Sequence, residues 1–227
     1  MRKHIGIVAC SSEGAALCYR TLCLEAGAQL GEHYHPEVSL HGFSLGKYME
    51  YIEARDWLAV AELMLSSARK LATGGAELLI CPDNTIHQAW PLVLDRIPLP
   101  WLHIAAVVAA EARARDFRRL AVLGTRSLME SQVYPQQLRL AEIEWCIPSE
   151  AERADIDAII FDELVQARVY PESRLRAVEV IRRLRVDEGC DAVVLGCTEL
   201  PLLISQADSP LPLLDSTRLL ARAALRT

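Results

Sequence analysis

Short, mostly apolar runs alternate along this chain with longer stretches in which apolar positions return every third or fourth residue. The short runs are HIGIVA (4–9), AELLIC (76–81), LPWLHI (99–104), RLAVL (119–123) and AVVL (192–195). Mostly continuous apolar character over so few residues predicts strands buried on both faces, as in a parallel sheet. Residues 14–27, 46–73, 102–115, 127–142 and 171–188 carry helix formers with a spacing near 3.6 and predict helices. The alternation implies an α/β fold whose sheets are mostly parallel and flanked by helices.

The pattern also repeats. Laid without a gap over GCDAVVLGCTE (189–199), GAELLICPDNT (75–85) pairs Gly with Gly, acid with acid, strand with strand, and Asp83 with Cys197, at an offset of 114. IGIVACSS (5–12) falls on LAVLGTRS (120–127) at an offset of 115, which also pairs Tyr19 with Tyr134. Two nearly equal offsets predict two pseudosymmetric lobes. The first is expected over residues 1–97 plus 207–227, with the tail packed back on it, and the second over 98–206. Ligands of open parallel sheets bind beyond the carboxyl ends of the strands. Asp83, Cys197, Cys10 to Ser12 and Thr125 to Ser127 all fall there, so the active site is expected between the lobes.

Composition removes several classes of function. A hydrophobic content of 52% with 24% charged residues is that of an ordinary globular protein. A formal charge of -6 and a pI near 5.6 leave no basic footprint for nucleic acid. The longest apolar stretch, 97–110, is interrupted by Pro98, Pro100 and His103 and falls short of the about 20 residues that span a bilayer. The N-terminus has basic residues but no long apolar region with a cleavage site, so a cytoplasmic location is expected, with no membrane partner. Seven cysteines, an odd number without a CxxC pair, argue against a disulfide framework or a zinc site and assign most of them to the core.

The chemistry concentrates at the two matched strand ends. A side chain between a parallel strand and the next helix sits among backbone N–H groups that attract anions and favour a thiolate, which suits Cys197 to reaction. Ser11, Ser12, Asn84, Thr85, Thr125, Ser127, Thr198 and Glu199 form the candidate substrate-contacting set, rich in the donors a small carboxylate needs. Inverting a carbon centre requires an acid on one face and a base on the other, and Asp83 with Cys197 supplies such a pair. Each has a plainer explanation. A cysteine after a strand can be structural, and Asp83 within PDNT is well placed to cap a helix. His87, one turn further on, either orients a catalytic group or fills space. His33 and His35 lack further ligands at metal spacing, so no metal is expected. RARDFRR (113–119) reads as a charged helix end.

These motifs together resemble the cofactor-independent aspartate/glutamate racemase family: HPEV (35–38), DNTIH (83–87), LGTRSLM (123–129), GCTEL (196–200) and LDST (214–217). The resemblance implies a two-lobe homodimer that racemises a small acidic amino acid without pyridoxal phosphate or metal. In that family a cysteine from each lobe flanks the α-carbon. Here Cys197 matches the second cysteine, while Asp83 stands at the first. A carboxylate facing a dianionic substrate is repelled, which favours its protonated form, so protonated Asp83 opposite a Cys197 thiolate is the expected active state. Two alternatives stay open. One is a single-thiol decarboxylase or cis–trans isomerase of a small dicarboxylic acid, and the other is a non-catalytic dicarboxylate-binding protein.

Overall fold

A computed structural model describes residues 3–227; the first two residues of the N-terminal segment read above for an export signal lie outside the described residues. Among the described residues, eight strands form two four-stranded sheets: β1 (Ile5–Ala9), β2 (Val38–Gly42), β3 (Leu78–Ile80) and β4 (Trp101–Leu102) in one, β5 (Arg119–Leu123), β6 (Glu144–Cys146), β7 (Ala192–Leu195) and β8 (Leu213–Asp215) in the other. The orders are β2-β1-β3-β4 and β6-β5-β7-β8, and every pairing is parallel. The central registers repeat residue by residue. Ile5 faces Leu78 and Ile7 faces Ile80 in the first sheet; Leu120 faces Ala192 and Val122 faces Val194 in the second. Those are the partners given by the offsets of 115 and 114.

Burial follows the strand alternation. In the first sheet Ile5 and Ile7 pack with Leu22 of the helix Ser12–Leu30, while Val8 and Leu79 pack on the other face with Met64 and Leu65 of the helix Trp57–Thr73. Each such fully buried side chain contributes about 1.5–3 kcal/mol relative to exposure. In the second sheet Leu123, Val193 and Leu195 pack with Ile156, Ile181 and Leu184, from the helices Glu150–Ala158 and Pro171–Val186.

The chain divides into two units, one running to Val107 and including Thr217–Thr227, the other covering Val108–Ser216. Both crossings lie about ten residues beyond the expected boundaries at 97/98 and 206/207. The cause is strand pairing. Trp101, expected in the second lobe, is opposite Leu79, so β4 completes the first sheet. Leu214, expected to fold back on the first lobe, is opposite Val194, so β8 completes the second. Of the tail, the final helix does join the first unit, where Leu220, Ala221 and Leu225 pack with Ile7 and Leu78.

One helix expected over 46–73 is two, Leu45–Glu53 and Trp57–Thr73. Arg55 takes a left-handed φ of 55°, and Asp56 caps the second helix by accepting the Ala59 N–H at 3.0 Å. The residues expected as one helix over 127–142 form Arg126–Met129 and Val133–Leu140. Among the described residues no helix is long and apolar enough to cross a membrane.

Candidate functional site

Strand β3 stops at Ile80, and the chain passes through Cys81, Pro82, Asp83 and Asn84 into a 3-10 helix, Thr85–Ala89. Asp83 is half-buried, and its Oδ1 accepts the Ile86 N–H at 3.1 Å. The capping role that an acid fills well here is therefore present. The Asp83 carbonyl accepts from His87 Nδ1 at 2.7 Å, which fixes the proton of that ring on Nδ1, and Cys81 Sγ donates to the same oxygen from 3.8 Å.

His87 is buried, its Nε2 has no hydrogen-bond partner, and its ring meets that of His103 edge-on at 4.7 Å. Burial, then the neighbouring His103, holds its pKa well below the ordinary value; burial likewise lowers His103 to about 4. Both rings are neutral at pH 7, so His87 serves this turn as a donor to backbone, not as a cation. Cys81, two residues from Asp83, is not a substitute nucleophile: burial, then the Asp83 charge, pushes its thiol well up. Tyr48, fully buried, has its phenol raised by burial first and then by Cys81, Cys10 and Asp83. Sequence reasoning missed it, because a tyrosine on the apolar stripe of a helix reads as filler.

In the second unit β7 ends at Leu195, and the Gly196 N–H donates to the Leu123 carbonyl at 2.7 Å. A Cβ on Gly196 would stand 2.6 Å from Leu128 Cδ2 and 2.9 Å from the Leu123 oxygen; one on Gly124 would stand 2.7 Å from Leu128 Cδ2. Glycine at both places lets the strand ends touch, and so sets the turn carrying Thr125 beside the turn carrying Cys197. Cys197 Sγ donates to Glu199 Oε2 at 2.9 Å, and Thr198 Oγ1 donates to the same oxygen at 2.6 Å. All three residues are buried. The thiol proton thus has an acceptor within reach, and its transfer to the carboxylate needs no movement of heavy atoms. Glu199, expected to contact substrate, has this oxygen turned onto its own two neighbours.

Two supporting residues were absent from the candidate set. Ser216 Oγ donates to the Leu195 carbonyl at 2.8 Å, and the Tyr134 ring lies against Gly196. Burial pushes the Tyr134 phenol up, with the Ser216 hydroxyl opposing. Both carried a signal, Tyr134 in the internal repeat and Ser216 in LDST. The repeat equates Tyr134 with Tyr19, yet Tyr19 is exposed and Tyr134 is not.

The remaining candidates divide by environment. Ser11 is buried and caps Ser12–Leu30 by accepting the Gly14 N–H at 3.1 Å; Thr125 caps Arg126–Met129 by accepting the Leu128 N–H at 3.2 Å. Asn84 is buried, Thr85 and Ser127 are half-buried, and Ser12 is exposed. Helix dipoles contribute less than expected at the two candidate positions. A five-residue 3-10 helix follows Asp83 and a four-residue helix, Leu200–Leu203, follows Cys197, so local N–H groups rather than a long macrodipole act there.

Among the described residues no group of three or more His, Cys, Asp or Glu side chains is arranged to hold a metal. His35 Nδ1 meets the Pro36 carbonyl at 2.8 Å, and His33 stands exposed beside Glu32. A polar recess at the amino ends of β5 and β6 is lined by Arg113 and Arg118 with Asp116 and Glu142, whose charges offset, at the end of the sheet opposite Cys197.

The model of the Asp/Glu/hydantoin racemase family matches residues 7–224. Among solved structures, the chain resembles a candidate Asp/Glu racemase from Yersinia pestis, with a TM-score of 0.89 and 29% identity over 99% of this chain and 98% of that one. It also resembles an aspartate racemase homologue from Pyrococcus horikoshii, with a TM-score of 0.86 and 27% identity over the same shares. A glutamate racemase from Thermus thermophilus is 31% identical over 160 residues, which cover 67% of this chain and 55% of that enzyme.

Proposed function

This chain belongs to the Asp/Glu/hydantoin racemase family, and we propose that it is an isomerase that inverts the α-carbon of aspartate or glutamate, with Cys197 on one face of that carbon and Asp83 on the other. The observation that carries the reading is the repeated strand register. Ile7 opposite Ile80 and Val122 opposite Val194 give Asp83 and Cys197 the same rank after equivalent strands. Where the family resemblance implies a thiol in each lobe, this chain has one thiol and one carboxyl, both able to move a proton.

In the forward direction Glu199 takes the thiol proton across the 2.9 Å contact, and the Cys197 thiolate takes the α-hydrogen. Protonated Asp83 then delivers its proton to the opposite face. The reverse reaction exchanges those roles, and the protonation states belong to the pair. Ser11, Ser12, Asn84, Thr85, Thr125, Ser127 and Thr198 hold the substrate carboxylates, and His87 holds the Asp83 turn. The resemblance also implies a homodimer; a monomer by light scattering would remove that part of the reading.

The test is racemisation of L-aspartate and L-glutamate in D₂O, followed by chiral chromatography and mass spectrometry. Two bases predict deuterium in the D-product while the recovered L-substrate stays unlabelled early in the reaction. No D-product and no α-deuteration from either amino acid would reject the proposal.

One observation favours a second reading. The Asp83 carboxylate already has a structural task in the Ile86 N–H. If that is its whole role, Cys197 acts alone as acid in a decarboxylase or cis–trans isomerase of a small diacid. Carbon dioxide release from substituted malonates, or conversion of maleate, without racemisation would favour this reading.

A further inference from the structure

Away from Cys197, the second unit brings two other thiols together. Cys146 closes β6, Cys190 lies just before β7, and their sulfurs are 2.9 Å apart although the residues are 44 positions apart in the chain. That separation is under an ångström beyond the covalent S–S length of about 2.05 Å. Cys190 is buried at 3% exposure, while Cys146 is partly exposed. Cys190 and Cys197 lie before and after β7, about 20 Å apart along an extended chain. The pair is therefore a separate feature from the candidate catalytic turn.

We propose that Cys146 and Cys190 form a reversible thiol–disulfide site that reacts with low-molecular-weight disulfides, Cys146 as the attacking thiol and Cys190 as the resolving one. The surroundings fit those roles. The contact with Cys190 lowers the Cys146 thiol, burial and the Glu188 charge oppose it, and Arg119 and Arg183 add to the lowering. Cys190 is buried while Cys146 is partly exposed, so Cys146 is the sulfur that an external disulfide reaches and Cys190 the one left to resolve.

With glutathione disulfide, the Cys146 thiolate attacks one sulfur, forms a mixed disulfide and expels a glutathione thiolate. Cys190 then attacks the Cys146 sulfur, the bond to glutathione breaks, and the Cys190 proton leaves on the second glutathione. Two protein thiols give up two electrons and one glutathione disulfide becomes two glutathione thiols. The product bridge ties the end of β6 to the residues entering β7.

The experiment incubates the full native chain in glutathione buffers of increasing oxidised fraction, blocks free thiols by alkylation, and maps peptides without reduction. The expected product is a peptide cross-linked between Cys146 and Cys190, lighter by two hydrogens and reversed by dithiothreitol, with Cys197 recovered alkylated. Cys190→Ala should instead accumulate glutathione on Cys146. Because Cys190 is buried and its replacement could unfold the chain, Cys146→Ser provides the independent arm and should abolish both products. A mixed disulfide persisting on wild-type Cys146, no bridge in the most oxidising buffer, or a bridge between other cysteines would each overturn the proposal.

Discussion

At the amino ends of the two equivalent strands, Glu77 and Asp191 do the same work, whereas a few residues later Asp83 and Cys197 are held by unlike partners. The Glu77 carboxylate accepts the His4 N–H at 2.9 Å, and its own N–H donates to the His4 carbonyl at 2.8 Å. The Asp191 carboxylate accepts the Arg119 N–H at 3.2 Å, and its own N–H donates to the Arg119 carbonyl at 2.9 Å. The carboxyl ends diverge: Asp83 is tied to backbone, at Ile86 and through His87, while Cys197 is tied to the buried Glu199 side chain. The scaffold is thus duplicated and its chemistry is not. A buried carboxylate adjoins the thiol in one unit, whereas in the other the carboxylate itself stands at the strand end.

The largest test of this asymmetry removes the sulfur. Cys197→Ala should lower kcat/KM for racemisation by about 10²–10⁴-fold, the usual scale of one acid–base group. A loss under tenfold would dissociate the Glu199–Cys197 contact from catalysis. Next in size is Asp83→Asn, which keeps an oxygen for the Ile86 N–H and removes the exchangeable proton. It should lower turnover by about 10²-fold with little change in thermal midpoint. Asp83→Ala should lose the same activity and about 1 kcal/mol of stability besides, because the cap goes with it. Full activity in Asp83→Asn would leave Asp83 only its structural task.

Much of the scaffold was legible because it depends on local rules. Gly75 and Gly189 match in the repeat and both have positive φ, at 93° and 67°, so glycine is there for its backbone freedom. The paired acids match because each clamps the start of a neighbouring strand. Strands β6 and β8 were not legible, being three residues each and lacking a long apolar run. The expected unit boundaries were displaced because the edge strands β4 and β8 are assigned by their partners rather than by their own pattern. At the site, Cys197 and Asp83 were visible as residue types at strand ends. The direction of Glu199 and the burial of Tyr48 depend on side-chain packing that spacing does not encode.

A smaller effect distinguishes the two units through pH. His103, with its pKa lowered to about 4 in the fold, and His87, also lowered, are neutral natively, whereas the unfolded chain protonates them near 6.5. The unfolded state therefore binds more protons in that window, and stability present above pH 6.5 is lost as pH falls toward 4. His103 alone should cost about 2 kcal/mol at pH 5. In the second unit Glu152 makes two 2.6 Å bonds to Arg183, which with Ser149 hold its carboxyl down at about 2, so its contribution is lost only below about pH 4.5. Urea unfolding at pH 7 and pH 5 should show a larger loss in the wild type than in His103→Phe. Equal losses would mean that burial of this ring does not govern the early acid response.

The smallest effect is expected at the matched glycines, where the duplication is nearest to complete. Gly189, at φ 67°, lies within the small left-handed well, and a Cβ there would meet nothing within 4 Å. Asn, which tolerates that well, should cost only a few tenths of a kcal/mol at this position, measured by thermal unfolding. Gly75, at φ 93°, lies outside the well, and its Cβ would approach His4 Nδ1 at 3.5 Å. That distance is ordinary contact, so sterics do not separate the two sites and the backbone angle does. Asn at Gly75 should therefore cost about 1 kcal/mol more than Asn at Gly189. Equal costs would mean that the two turns relax to one conformation once a side chain is present, which would extend the duplication to positions where the angles now differ.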